Sequence, residues 1–157
     1  MVRLKVIAVG RTKEPWIKAG ILHYQKLLRA YADLKLVEVK EETLNRSQER
    51  KTLLESEAER ILGSVGHSGL CIALEVDGES LGSEDFARLL CAKLNQGYND
   101  FTFILGGALG LSQRILDACP MRLSLSRMTF THEMSRVILL EQIYRAFSIL
   151  KGTKYHK

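Results

Sequence analysis

Phe101-Thr-Phe-Ile-Leu-Gly-Gly-Ala-Leu-Gly110 reads as an apolar strand, Phe101 to Leu105, running into a glycine-rich turn, with a helix following from Ser112 to about Ala118. Upstream, Val2-Arg-Leu-Lys-Val-Ile-Ala-Val9 alternates and then becomes fully apolar, as a buried strand does on entering a sheet, and Gly10 ends it. Pro15 suits a first helical turn, and Trp16, Gly20, Tyr24, Leu27, Leu28 and Tyr31 recur on one helical face. Leu34, Leu36 and Val39 alternate with polar residues as a second strand. The charged stretch from Glu41 to Arg60 carries Leu53, Leu54, Ala58, Ile61 and Leu62 at helical spacing, with Gly63 as terminator.

A loop from Ser64 to Gly69 precedes a third strand, Leu70 to Val76, and Asp77-Gly78 reads as a turn. Ser83 with Glu84 and Asp85 opens a helix capped and charged as its dipole prefers, with Phe86, Leu89, Leu90 and Leu94 inward. Beyond the central stretch come a short strand, Leu123 to Leu125, a loop, Ser126 to His132, and a last helix from Glu133 to about Leu150. Strands alternating with helices argue for an α/β domain on a mostly parallel sheet. With no repeat, low-complexity tract or linker, residues 1–157 read as a single domain.

Composition agrees: 46% hydrophobic and 26% charged residues are the proportions of an ordinary globular chain. Cys71, Cys91 and Cys119 form no CxxC pair and read as small apolar residues in a reducing compartment. The opening residues have a strand pattern rather than that of a signal peptide, and no uncharged apolar run approaches the ~18 residues a membrane span requires. The expected location is cytoplasmic. The net charge of +5 is concentrated: seven Lys or Arg against two acids from Pro120 onward leave the first 119 residues neutral. Localised positive charge suits an anionic partner, nucleic acid above all, although a solvated basic tail has the same composition.

Three places carry candidate chemistry. The Gly106–Gly110 turn lets a ligand approach the backbone beyond a strand's carboxyl end, yet it is neither GxGxxG nor a Walker loop, and steric need alone also produces such turns. Leu125-Ser-Arg-Met-Thr-Phe130 offers hydroxyls and backbone groups to a polar ligand, with Met128 and Phe130 to flank a flat ring; an ordinary connector whose Met and Phe pack inward fits as well. His132 and Arg136, four apart, share a helical face, where a histidine moves protons and an arginine holds a phosphate or carboxylate. Glu141 and Arg145 have the spacing of a helix ion pair. The last helix is apolar around much of its circumference, which means a subunit interface or a position sandwiched inside the monomer. In the tail, Tyr155 suits stacking on a base among cations, and frayed chain ends share that composition. His23, His67, His132 and His156 are scattered, with no metal-ligand spacing.

Taken in order, Val6–Gly10, Leu74-Glu75, Phe103–Gly110, Leu123–Phe130, His132, Arg136-Val137, Glu141–Ala146 and Tyr155-His156-Lys157 resemble the RlmH family of ribosomal RNA pseudouridine methyltransferases, in the SPOUT class. The resemblance spans the full length. It implies a homodimeric α/β domain whose C-terminal part forms a deep trefoil knot, an arrangement that folding rules do not suggest. It further implies that S-adenosylmethionine is held by Leu74, Gly106, Leu125, Ser126, Arg127, Met128, Thr129 and Phe130. The implied reaction is methyl transfer to N3 of a pseudouridine in large-subunit ribosomal RNA on the ribosome. In that reaction His132 or His156 assists proton removal, Arg136 holds RNA or developing charge, and Tyr155 stacks on the target base. Thr131 stands where the family commonly has proline, which is expected to loosen the lead into the last helix. Two rivals are a flavodoxin-like or Rossmann-like nucleotide enzyme and a non-catalytic ribosome-binding factor.

Overall fold

Five strands form one parallel sheet in the order β2-β1-β4-β3-β5: β1 (Val2–Val9), β2 (Ala32–Val39), β3 (Leu70–Ser80), β4 (Asp100–Leu105) and β5 (Met121–Ser124). The computed structural model describes residues 1–43 and 49–156. Parallel neighbours require crossovers, and helices supply each one: α1 (Pro15–Leu28), α2 (Arg50–Ser64), α3 (Ser83–Asn95) and α4 (Gln113–Ala118), with α5 (His132–Leu150) closing the chain. α1, α3 and α5 cover one face of the sheet, through Ile17, Ile21, Phe86, Leu90, Leu139 and Ile143. α2 and α4 cover the other, through Ala58, Ile61, Ile115 and Leu116. The inner strands β1 and β4 are therefore buried on both sides, which is why their apolar runs lose alternation.

The elements follow local chemistry with instructive departures. Pro15 does sit in the first turn of α1, where its missing N–H is no loss. The buried stripe of α1 is Ile17, Ile21 and Leu28, however, and Trp16 faces outward, 58% exposed. Leu28 is buried as read, and Tyr24 and Tyr31 pack against the same core, so Trp16 is the residue that departs from the expected face. Gly63 lies inside α2, which ends at Ser64 with Val65 as its extended C-cap. Asp77-Gly78, read as a turn, lies within β3. The strand leaves register with β5 after Leu74 and rejoins at Glu79, Leu123 serving as partner both times. A Cβ at Gly78 would fall 2.8 Å from the Leu123 backbone, so that glycine permits close approach of two strands rather than reversal of the chain. Ser83 is the first residue of α3 rather than its cap, and its hydroxyl donates to Gln142 Oε1 at 2.6 Å.

Thr131 corrects another expectation. It caps α5 instead of loosening it, Oγ1 accepting from the Met134 N–H at 3.2 Å while its carbonyl receives the Ser135 N–H. His132 is thereby the first helical residue.

Candidate functional site

Leu105, the last residue of β4, pairs with Leu74 of β3, and Leu74 pairs with Leu123 of β5, one residue before that strand ends, while β3 itself runs on to Ser80. Everything emerging there converges: Gly106 directly after Leu105, Leu74 itself, and the loop from Leu125 onward. Crevices beyond strand carboxyl ends are where open α/β sheets bind ligands. The glycine turn is built bare. A Cβ at Gly106 would meet the Gly110 carbonyl oxygen at 2.6 Å, and Gly110 has φ +77°, a conformation that favours glycine. Across from it, the Arg50 guanidinium donates to the Leu109 carbonyl at 2.7 Å and fixes the outer limb of the turn.

Beside β5 lies a cavity of about 230 Å³ lined by Leu81, Gly82, Ser83, Phe86, Leu123, Ser124, Leu125, Phe130, Ile138, Leu139 and Gln142. Of the expected cofactor residues it contains Leu125 and Phe130. Ser126 shapes the rim, its hydroxyl accepting from the Met128 N–H at 2.9 Å and its carbonyl from the Ser124 hydroxyl at 3.0 Å. Arg127, Met128 and Thr129 are exposed at the mouth, Met128 by 75%. Ser83 and Gln142 are polar wall residues that sequence reasoning missed. A glutamine inside an otherwise apolar stretch of helix was the available signal.

The expected catalytic residues separate into different surroundings. His132 is half-buried at the first turn of α5. Its neighbour Glu133 turns toward α1, Oε1 accepting from the Lys13 N–H at 2.5 Å and the Glu14 N–H at 3.1 Å. Burial alone would raise the Glu133 carboxyl, but those donors and the nearby Arg136 charge hold it below the usual range. Arg136 departs furthest from expectation. It is 1% exposed and donates to the carbonyls of Val9 at 2.8 Å and Gly10 at 2.9 Å, and to Thr12 Oγ1 at 2.7 Å, with Glu38 Oε1 at 3.4 Å. Its guanidinium clamps the end of β1 to α5, and no open side faces an RNA.

The tail folds back onto α5. Tyr155 packs edge-on to Tyr144 at 4.7 Å between ring centroids, lies under the Arg145 guanidinium at 4.8 Å, and donates to Glu141 Oε1 at 3.2 Å. Burial, with Tyr24 and Glu141 against it, pushes its hydroxyl pKa up. Arg145 and Glu141 form the expected i,i+4 ion pair, and Arg145 Nη1 also reaches His156 Nδ1 at 3.2 Å. His156 Nε2 lies 3.4 Å from Glu84. Glu84 lies in the first turn of α3, so this contact ties the tail to the start of that helix. Of the C-terminal cations among the described residues, Arg136 and Arg145 are committed inward, whereas Arg122, which lies 3.4 Å from Asp117, is exposed, as are Arg127, Lys151 and Lys154. Lys157 lies outside those residues. Among them no His, Cys, Asp or Glu group is arranged to hold a metal, and no helix is long and apolar enough to cross a membrane.

Comparison with known proteins meets this geometry at the family level. The family model described as "Predicted SPOUT methyltransferase" matches residues 2–156. The chain belongs to the SPOUT methyltransferase family. Relatives within it agree over essentially their whole length. A protein of Carboxydothermus hydrogenoformans named "Ribosomal RNA large subunit methyltransferase H" is 43% identical, covering 98% of this chain and 99% of that one. A protein of the same name from Halothermothrix orenii is 45% identical over 99% of both chains. One from Clostridioides difficile is 40% identical, over 98% and 99%. Among solved structures, "a probable methylase family protein from Haemophilus influenzae Rd KW20" superposes with a TM-score of 0.54 at 15% identity, covering 99% of this chain and 70% of that one, a likeness of fold.

Proposed function

We propose that this SPOUT methyltransferase methylates N3 of a pseudouridine in large-subunit ribosomal RNA, using S-adenosylmethionine, in the cytoplasm and on the assembled ribosome. The observation that carries the reading is the register in which Leu105, the end of β4, pairs with Leu74 and Leu74 with Leu123, so that the glycine turn after β4 and the Leu125–Phe130 loop after β5 leave the sheet from neighbouring levels. The names of relatives 40–45% identical over full length give the substrate class.

The residues present fit the cofactor. Leu125 and Phe130 line the cavity beside β5, and together with Leu74, Gly106, Ser126, Arg127, Met128 and Thr129 they would hold it. When bound, the cofactor supplies a methyl group already activated on a sulfonium, so the protein's task is chiefly alignment. Leu81, Leu123, Ile138 and Leu139 exclude water from the cavity, and the Ser83–Gln142 hydrogen bond fixes its polar wall. Removal of the N3 proton falls to His132 or His156. In the docked tail, Arg145 donates to His156 Nδ1, so His156 must leave that contact to accept a proton through that nitrogen. Arg136 enters as a positioning residue that holds the α5 start against β1. Tyr155 stacks on the base only after leaving Glu141 and Tyr144. The same reading includes the trefoil knot and a homodimer. Exposed Trp16 and Leu22 on α1, with the half-buried apolar side chains of α5, support the pairing. Arg127, Lys151 and Lys154 meet phosphates, and binding weakens with salt.

The test is transfer of labelled methyl from S-adenosylmethionine to ribosomes lacking the modification. Label at N3 of one large-subunit pseudouridine is expected. Absence of label on ribosomes that a known enzyme does modify overturns the reading, and retained ribosome binding then identifies a non-catalytic binding factor.

A further inference from the structure

Cys71 and Cys119 are 48 residues apart in sequence, yet their sulfurs lie 3.0 Å apart in the fold. Alternation along β3 directs Cys71 toward the α2/α4 side of the sheet, while Ile72 belongs to the other core. Cys119 caps the end of α4, just before β5, and is buried there with Ile115 and Leu116. Cys71 is only half-buried, so one member of the pair is open to small solutes and the other sits behind it. Cys91 lies on α3, across the sheet.

We propose that Cys71 and Cys119 form a redox-active dithiol, a modification site at which hydrogen peroxide converts the pair reversibly into a disulfide joining β3 to the α4–β5 junction. A disulfide bond is about 2.05 Å long, so the two sulfurs have only about 1 Å to close. The contact between the two sulfurs holds Cys71 below the usual thiol range, while that contact and burial push Cys119 up. Cys71 is accordingly the attacking sulfur. Its thiolate takes one peroxide oxygen, the O–O bond breaks, and hydroxide leaves to become water, giving a sulfenic acid. The Cys119 sulfur then attacks that sulfenic sulfur. The S–O bond breaks, the departing hydroxide takes the Cys119 proton as a second water, and two electrons have passed from the thiols to peroxide. A small thiol reverses the step by exchange.

The experiment uses the full chain, reduced and desalted, then treated with a small excess of hydrogen peroxide and alkylated under denaturing conditions. The expected result is loss of two hydrogens in intact mass, one alkylated cysteine (Cys91) in place of three, and a Cys71–Cys119 cross-linked peptide that reducing agent abolishes. Oxidation raises Tm of the wild type and leaves that of Cys119→Ser unchanged, while Cys91→Ser still forms the bond. Should Cys119→Ser fail to fold, Cys71→Ala is the second variant. Three alkylated cysteines after treatment overturn the proposal. So do a cross-link through Cys91 and over-oxidation of Cys71 without a cross-link.

Discussion

The two faces of the sheet are built to different standards. Among the described residues, twenty-two buried ones form the core under α1, α3 and α5, and ten form the core under α2 and α4. Each side also buries a charged group that leaves one atom unmatched. On the thick side the buried guanidinium of Arg136 finds two carbonyls, a hydroxyl and Glu38, while its Nε has no partner among the described residues. On the thin side the buried carboxyl of Glu57 accepts the Glu42 N–H with Oε2 at 2.8 Å, while Oε1 has no partner among the described residues. The cavity draws its walls from the thick side: Phe86, Leu123 and Leu139 all belong to that core. The thicker face thus lines the proposed site, and the thinner one carries Glu57 and the thiol pair.

The largest expected effect tests whether Arg136 holds the thick side together. Arg136→Ala leaves the Val9 and Gly10 carbonyls unpaired in a dry site and Glu38 without its cation, and should cost about 4 kcal/mol in urea denaturation. A loss below about 1 kcal/mol would show that the clamp is not structural. The next comparison uses one chemistry on both faces. Ile143 and Ile61 are both buried. Truncation to alanine should cost about 3.5 kcal/mol at Ile143 and about 2 kcal/mol at Ile61, because a thinner core relaxes into the cavity more readily. Equal losses would erase the distinction between the faces.

Much of this organisation was legible in sequence, and the gaps have physical causes. β1 and β4 were readable because burial on both faces leaves continuous apolar runs with glycine ends. The order of helices and strands followed from period alone, and it sufficed to place the Gly106 turn and the Leu125–Phe130 loop beyond strand ends. What failed depended on partners distant in sequence. Gly78 looks like a turn until Leu123 is seen against it. Arg136 looks like a surface cation until the Val9 and Gly10 carbonyls at the end of β1 are seen to accept from it, and Cys71 looks like a small apolar residue until Cys119 arrives beside it. Single-sequence spacing reports what one helix or strand presents, and says nothing of which side chain answers from across the fold.

Glu57 offers a sharper test of the thin side, with a smaller effect. Burial raises its pKa first, and the neighbouring Glu41 and Glu42 carboxylates add to this against the Glu42 N–H and Arg60. An acid whose folded pKa is raised contributes stability that is fully present below its unfolded value and is lost as pH rises through the folded one. Tm should therefore fall as pH climbs from the ordinary glutamate range toward neutrality, by an amount that Glu57→Gln removes. The variant should be the more stable protein at pH 7, by under about 1 kcal/mol. A wild-type and variant pair with parallel Tm profiles would mean that Glu57 is ionised without penalty.

The smallest effect concerns how α5 begins on the thick side. Thr131 has φ −61° and ψ 150°, a backbone that proline adopts without strain. Thr131→Ala removes the Oγ1 acceptor from the Met134 N–H and should cost about 1 kcal/mol. Thr131→Pro loses the same cap, keeps the carbonyl that Ser135 uses, and restricts the unfolded chain, which returns about 0.4–1 kcal/mol. The proline variant should therefore lie within about 0.5 kcal/mol of wild type and above the alanine variant. That ordering separates two ways of starting the same helix: a side-chain cap acting in the folded state and a stiff residue acting in the unfolded one. If proline instead falls below alanine, the Thr131 N–H or the conformation of Phe130 before it must carry stability of its own, and the threonine is required here rather than interchangeable with the family's proline.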